Sequence, residues 1–163
     1  MKKKIIGWKE WVTLPEFGGA RIKAKIDTGA RSSSLHVFNL EVNGQDGNEY
    51  AEFDIRPDKR GGKALRCRTR VEGYRKVKSS NGLIEQRPVV VTRLALFKDS
   101  WPIEVTLTNR DGMRYQMLLG RRSIRDRFYV DADGAWHGRK KKKGKATGGR
   151  RPAADGRNNE VRL

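Results

Sequence analysis

Along four short stretches of the chain, apolar and polar residues alternate or β-branched residues cluster, and both patterns are typical of β-strands. The stretches are residues 21–26, 65–71, 89–96 and 103–108. Turn pairs such as Asn-Gly, Asp-Gly and Gly-Gly separate the apolar stretches. The helix candidate, residues 121–127, is about two turns long. The pattern therefore predicts an all-β fold, a small barrel or sandwich with one short C-terminal helix.

The composition narrows the class of protein. Of the 163 residues, 36% are hydrophobic, and no run approaches the roughly 20 apolar residues that a membrane-spanning helix needs. The basic N-terminus is followed by a short apolar stretch that Glu10 interrupts, so we expect no secretory signal. One cysteine, Cys67, cannot form an internal disulfide, and one cysteine with two histidines is a poor set of zinc ligands. We therefore expect a cytoplasmic protein with no membrane contact, no cofactor and no metal site.

Positive charge is concentrated in two parts of the chain. The formal net charge is +18, from 37 basic and 19 acidic residues. Residues 138–163 hold ten basic and two acidic residues with almost no apolar ones, so we predict a disordered tail after a domain of residues 1–137. Residues 55–87 hold eleven basic and three acidic residues, which marks a basic segment in the middle of the domain.

Two short motifs carry the candidate chemistry. The predicted strand 21–26 runs directly into Asp27-Thr28-Gly29-Ala30, so a carboxylate stands at the end of an apolar strand beside a glycine that permits a tight loop. Taken alone, this motif has the composition of a plain turn after an edge strand. A second motif, Leu118-Leu119-Gly120-Arg121, places its glycine 93 positions after Asp27.

Together the two motifs resemble those of the retropepsin-like aspartic proteases. In that group a hydrophobic strand enters Asp-Thr/Ser-Gly-Ala, and two apolar residues with Gly-Arg later open a short helix. The stretches 25–36 and 117–122 look closer still to a bacterial and archaeal branch labelled ATP-dependent zinc protease. This branch is associated with an ATP-grasp ligase that adds glutamate to a ribosomal protein. The resemblance covers about residues 3–137 and implies a small closed acid-protease barrel. The zinc and ATP named in the branch's label are not supported, because the sequence has neither a zinc motif nor a phosphate-binding loop of the Walker type.

The resemblance also implies a mechanism. Two aspartates that share one water cannot both ionise, so one acts as general base on the water and the other polarises the scissile carbonyl. The chain has one such motif, and the resemblance implies that Asp27 of a second subunit completes the dyad in a twofold homodimer. In this arrangement Thr28 locks the two loops together, Gly29 lets the substrate backbone approach, and the strand ending at Gly120 braces the loop.

Two arginines distinguish this chain from the viral members of the group. Arg31 stands where those enzymes carry an acidic residue, so the carboxylate that would pair with Arg121 is missing. We therefore expect Arg31 and Arg121, with their neighbours Ala30 and Gly120, to lie against the substrate, the two guanidinium groups binding its carboxylates bidentately.

The basic segment 55–87 points to an acidic substrate. It falls where a flap would cover the cleft, so Arg66, Arg68 and Arg70 would form part of a positively charged lid. Such a lid attracts an acidic peptide, and a poly-glutamate extension fits the ligase with which the branch is associated. The alternative is an ordinary solvent-exposed strand face, on which alternating arginines are common.

A different class of protein competes with this interpretation. A net charge of +18 and the lysine-rich tail are also the electrostatic signature of a non-catalytic β-barrel that binds RNA or the ribosome. The two hypotheses are compatible, because the tail could dock an enzyme on a ribosome. Four aromatic residues are expected to fill the core or a dimer contact: Trp8, Trp11, Phe17 and Trp101.

Overall fold

The computed structural model describes residues 2–57, 63–78, 81–109 and 114–138. Twelve strands and one short helix are formed by these residues. Their bounds are β1 (Lys4–Gly7), β2 (Lys9–Leu14), β3 (Ala20–Asp27), β4 (Ser33–His36), β5 (Phe38–Gln45), β6 (Asn48–Ile55), β7 (Leu65–Arg70), β8 (Gly73–Lys78), β9 (Ile84–Leu96), β10 (Asp99–Thr108), β11 (Met117–Gly120), α1 (Arg121–Ile124) and β12 (Phe128–Asp131).

Six strands close into a barrel. Hydrogen-bonded neighbours follow the order β10, β4, β11, β3, β2 and β9, and β9 pairs again with β10 to complete the circle. The strands form where apolar residues alternate, as in β3, whose Ile22 and Ala24 are buried while Lys23 and Lys25 are exposed. The predicted all-β barrel with one short helix is confirmed.

Two smaller sheets and one hairpin complete the fold. β1 and β12 pair in parallel, and β5, β6 and β7 form a separate three-stranded antiparallel sheet. β8 pairs with β9 and extends the barrel sheet outward. The basic segment 55–87 is therefore divided between two sheets, and its residues 58–62 and 79–80 lie outside the described part. The predicted tail lies outside it from residue 139 onward, so its disorder stays a prediction.

The core fills the barrel and the space beneath the three-stranded sheet. Phe17 packs edge-on against Phe53 with ring centroids 5.2 Å apart, and Trp101 is buried as expected. Cys67 also faces the core, and burial raises the pKa of its thiol. Trp8 and Trp11, in contrast, are only half-buried.

The helix is shorter than the sequence predicts. It was expected over residues 121–127, but Arg125 has an extended backbone with ψ of 149°, and Asp126 has a left-handed φ of 68°. This reversal lets the chain enter β12, where Phe128 is buried and pairs with Lys4. The demand for burial of Phe128 therefore outweighs the helical propensity of the preceding arginines.

Candidate active site

Asp27 is the last residue of β3, and its side chain is half-buried. β3 runs parallel to β11, with Leu119 opposite Ile26 and Gly120 opposite Asp27. Because these strands are neighbours in the barrel wall, the two motifs lie side by side although 93 residues separate them in the chain. The carboxylate therefore projects from a rigid strand end at the start of a tight loop.

The loop after Asp27 orients the carboxylate. The backbone N–H groups of Gly29 and Ala30 donate hydrogen bonds to the Oδ1 atom of Asp27, at 3.0 and 3.2 Å. The N–H of Ala30 also contacts the Asp27 carbonyl oxygen at 3.2 Å. Thr28 and Gly29 are exposed, so the loop presents its backbone to the outside. One carboxylate oxygen is thus fixed by two amides, which sets the direction in which the other oxygen points.

Arg121 braces this loop from the second motif. Its Nη1 donates hydrogen bonds to the carbonyl oxygens of Thr28 at 3.0 Å and Gly29 at 3.2 Å. Its backbone N–H donates to the carbonyl oxygen of Ala30 at 2.8 Å. Arg31 occupies the position at which viral enzymes carry an acidic partner for this arginine. In this chain, backbone carbonyl oxygens accept hydrogen bonds from part of the Arg121 guanidinium group.

Gly120 is required by the close approach of the chain segment that follows the Asp27 loop. A Cβ atom on this residue would lie 2.6 Å from the carbonyl carbon of Ser32 and 2.9 Å from that of Arg31. The Gly120 N–H donates to Ser33 Oγ at 3.0 Å, and Ser33 Oγ lies 2.6 Å from Ser123 Oγ. Sequence reasoning missed these two buried serines, since serine is common in exposed loops as well.

Four arginines surround a concavity beside the loop, which we call the arginine pocket. It is lined by Arg31, Arg121, Arg122 and Arg125 and has a volume of about 380 Å³. Arg31 and Arg121 were predicted from the motifs to meet the substrate, and the structure brings them together here. Arg122 and Arg125 were missed, although both fall within the predicted helix 121–127 and lie close to Arg121 in sequence.

The three lid arginines of the sequence prediction lie on β7, in the three-stranded sheet. Arg66 lies within ion-pair distance of Asp54, Glu52 and Glu41, and Arg68 pairs with Glu52. Arg70 donates to the carbonyl oxygen of Gly47. A hydrogen bond from Asn39 and, to a smaller extent, the Arg66 guanidinium group hold the pKa of Asp54 below its usual range. Burial acts in the opposite direction and is outweighed. The contacts of these arginines are therefore made within their own sheet, and their role as a lid stays a prediction.

Aromatic rings and basic side chains share the outer face of β2 and β3, which we call the aromatic–basic face. It consists of Trp8, Lys9, Trp11, Arg21, Lys23 and Trp136. Lys9 Nζ lies 4.5 Å from the ring centroid of Trp8, and Arg21 Cζ lies 4.8 Å from that of Trp11. Trp8 and Trp11 were expected in the core or at a dimer contact. Both are half-buried and lie beside cations, so they do not fill the core, and a dimer contact stays a prediction.

Within the described ranges, no cluster of three or more His, Cys, Asp or Glu side chains is arranged to hold a metal ion. No helix in the described part of the chain has the length and apolar character to cross a membrane.

The chain matches the model of one protein family and shares a segment with several curated proteins. The model of one protein family, described as RimB-like, retropepsin-like aspartic endopeptidase RimB, matches residues 5–138. A probable alpha-L-glutamate ligase of Desulfotalea psychrophila is 44% identical over 132 residues, which make up 79% of this chain and 28% of that protein. A probable alpha-L-glutamate ligase of Shewanella halifaxensis is 42% identical over 130 residues, with the same two shares. The match therefore spans less than a third of the length of these curated relatives.

One solved structure extends the comparison to three dimensions. It is the crystal structure of a protein of unknown function from Legionella pneumophila, with a TM-score of 0.70 and 33% sequence identity. The alignment covers 85% of this chain and 100% of the other.

Proposed function

The chain belongs to the RimB-like family of retropepsin-like aspartic endopeptidases, and from that premise we propose that it is an aspartic-type peptidase that cleaves acidic peptide extensions, above all poly-glutamate. The observation that carries the proposal is the presentation of Asp27. Its carboxylate stands at the end of β3, is oriented by two loop amides, and is followed by a loop that Arg121 braces. A preorganised carboxylate of this kind suits acid–base work on a bound water.

The proposed reaction uses Asp27 from each of two subunits that meet on a twofold axis. One proton is shared between the two carboxyl groups, since neighbouring like charges oppose a second ionisation. The ionised group takes a proton from water as the water oxygen attacks the scissile carbonyl carbon, while the protonated group donates its proton to the carbonyl oxygen. Transfer of a proton to the nitrogen then releases the amine and the new carboxylic acid. The apparent pKa values of this reaction belong to the pair of carboxyl groups.

The substrate class follows from charge and from the names of the relatives. The chain has a net charge of +18, and four arginines line the pocket beside the Asp27 loop. An acidic peptide is attracted to such a surface, whereas a basic one is repelled. The relatives that share this segment are named for a ligase that uses glutamate. A chain of glutamates is therefore the substrate that we assign.

Cleavage of hexaglutamate tests the proposal. Wild-type protein and the Asp27→Asn variant are incubated with the peptide from about pH 4 to 8, and the products are identified by mass spectrometry. The matched control is Asp46→Asn, which makes the same chemical change at an exposed turn between β5 and β6. Products from the wild type and from Asp46→Asn, but not from Asp27→Asn, are expected. Equal cleavage by Asp27→Asn would contradict the assignment of Asp27.

A second candidate function is RNA binding, and the aromatic–basic face favours it. On this face, lysine and arginine side chains beside the tryptophan rings can contact phosphates, while the rings stack on bases. In this case Arg21→Gln combined with Lys23→Gln should weaken RNA binding and lower its salt dependence. The matched control removes two exposed lysines, Lys2 and Lys98, that lie outside this face. Equal RNA affinity of the two double variants would exclude the face as an RNA site.

A further inference from the structure

We infer that the arginine pocket is a carboxylate-binding subsite for acidic side chains of the substrate, and that Arg122 and Arg125 are specificity-determining residues. The inference deepens the proposed function, from which it takes the substrate class. It rests on four features of the pocket: its charge, its position, its rigid frame and a neighbouring cleft.

The pocket carries a concentrated positive charge. All four of its lining residues in the described part of the chain are arginines, so no carboxylate of these residues takes part in forming its wall. The ion pairs found among the described residues involve other basic side chains, such as Arg66, Arg75 and Arg87, and none of the four pocket arginines. Like charges held together favour the binding of an anion, and the guanidinium fork matches the geometry of a carboxylate.

The position of the pocket links it to the catalytic loop. Arg31 follows Ala30 directly, and the guanidinium group of Arg121 touches the carbonyl oxygens of Thr28 and Gly29. The pocket therefore adjoins the loop that carries Asp27, and we expect a carboxylate bound in it to belong to a residue close to the scissile bond. A volume of about 380 Å³ suits the side chains of a peptide and lies within the usual range of small ligand sites.

The frame that holds the four side chains is rigid. The N–H of Arg121 donates to the carbonyl oxygen of Ala30, and the N–H of Arg122 donates to that of Arg31 at 3.1 Å. The N–H of Arg125 donates to the carbonyl oxygen of Arg121 at 2.9 Å. Loop and helix are therefore joined by backbone bonds, so the backbone positions that carry the arginines are fixed before any anion binds. Such preorganisation lowers the entropic cost of binding.

A smaller cleft continues from the pocket on the other side of Arg122. It has a volume of about 180 Å³, and its lining includes Ser32, Arg75 and Glu104. Arg75 donates from Nη2 to Glu104 at 2.8 Å, but its Nη1 is buried without a hydrogen-bond acceptor among the described residues. Buried donors are normally satisfied, and a donor enclosed in this way is suited to an internal water. The cleft therefore adds Arg75 as a further cation near the pocket, already paired with Glu104.

Binding of a fluorescent hexaglutamate tests the inference without the need for turnover. Every protein in the test is the full chain with Asp27→Asn, so the peptide is not consumed. Fluorescence anisotropy compares this parent with the double variant Arg122→Gln/Arg125→Gln. The charge-matched control is Lys2→Gln/Lys98→Gln, at two exposed lysines outside the pocket. The pocket pair should weaken binding by about tenfold or more, because charge-assisted hydrogen bonds are lost, and the control pair by about twofold at most.

Three results would overturn the inference. Equal loss of affinity in the pocket pair and the control pair would show that only total charge matters. Equal binding of hexaglutamine and hexaglutamate to the parent would show that carboxylates are not recognised. If the pocket pair lost affinity for a short single-stranded RNA but not for hexaglutamate, the pocket would be assigned to phosphates. A wild type that binds hexaglutamate through the pocket without cleaving it would leave the subsite in place and remove the proposed peptidase activity.

Discussion

Replacement of Gly120 by alanine tests the packing behind the candidate active site. Gly120 lies opposite Asp27 in the parallel pair of β3 and β11. An added Cβ would lie 2.6 Å from the carbonyl carbon of Ser32 and closer still to its oxygen. These are backbone atoms, so the clash cannot be relieved by rotation of a side chain. Either β11 or the segment from Arg31 to Ser32 must move by several tenths of an ångström.

The magnitude follows from what holds the two segments together. Overpacking in a tightly packed region costs about 1–3 kcal/mol of unfolding free energy. A shift of Ser32 or β11 also strains two backbone hydrogen bonds, from Arg122 to Arg31 and from Arg121 to Ala30, each of which contributes about 1 kcal/mol. We therefore expect Gly120→Ala to lower the free energy of unfolding by about 1–5 kcal/mol, with the upper end reached if both hydrogen bonds are lost. Turnover should fall in addition, because the same movement displaces the loop that orients Asp27.

Urea unfolding followed by tryptophan fluorescence measures the loss of stability. Trp101 is a useful reporter, because its Nε1 donates to the carbonyl oxygen of Ser123 beside α1. The matched control is Gly73→Ala at the start of β8, where an added Cβ would meet no atom within 4 Å. The control should stay within about 0.5 kcal/mol of the wild type. Equal stability of the two variants would refute the reasoning that close backbone approach requires glycine at position 120.

Three further predictions concern buried and bracing groups. Glu10→Gln should lower the free energy of unfolding by about 1–3 kcal/mol in urea, because its fully buried carboxylate accepts three backbone N–H bonds that one amide oxygen cannot replace. Asp54 has a lowered pKa in the folded state. Its stabilising effect is therefore present above its ordinary pKa of about 4 and is lost as the pH falls through the lowered value. In a plot of unfolding free energy against pH, Asp54→Asn should remove that part of the decline at acid pH. Arg121→Lys should reduce hexaglutamate turnover about tenfold or more, since a lysine cannot reproduce the bonds to the carbonyl oxygens of Thr28 and Gly29.

Each of these predictions has a clear opposite result. Unchanged stability of Glu10→Gln would mean that the three amides find other acceptors. Superimposable acid limbs for Asp54→Asn and the wild type would mean that the carboxylate adds nothing to folding. Full turnover by Arg121→Lys would mean that positive charge alone, without the guanidinium fork, is enough to hold the loop.

The barrel could be predicted from the sequence because its strands carry a local signal. Ile22, Ala24 and Ile26 alternate with basic residues, and the same alternation places them in the barrel wall. The adjacency of Asp27 and Gly120 was accessible only through the family's pair of motifs. It depends on the parallel pairing of β3 with β11, which no local pattern specifies.

In β2, Trp11 and Glu10 depart from the usual burial of their residue types. An aromatic ring is expected inside and a carboxylate outside. In β2 the order is reversed: Glu10 is fully buried and Trp11 is half-buried on the outer face. The reason is that the Glu10 carboxylate accepts N–H bonds from Gly7, His137 and Gly138, which compensates for its burial. These long-range partners cannot be recognised from the local sequence.

The charge of β7 shows a limit of counting along the chain. The window 55–87 has a large positive excess, which led to the prediction of a basic lid. Cross-strand pairing places Asp54 opposite Arg66 and Glu52 opposite Arg68. The acidic partners come from β6, just before the window begins, so the arginines are largely matched in space. The arginine pocket arises in the opposite way, because folding gathers Arg31, Arg121, Arg122 and Arg125 at a wall to which no acidic residue contributes in the described ranges.

The measurement that tests the central claim most directly is a subunit-mixing experiment. Wild-type protein and Asp27→Asn are unfolded, mixed in equal amounts and refolded together, and hexaglutamate cleavage is measured at constant total concentration. If each active site needs Asp27 from both subunits, the mixture should retain about a quarter of the wild-type activity, since random pairing leaves only that share of intact dimers. An activity of about one half would show that each subunit works alone, and would contradict the shared dyad.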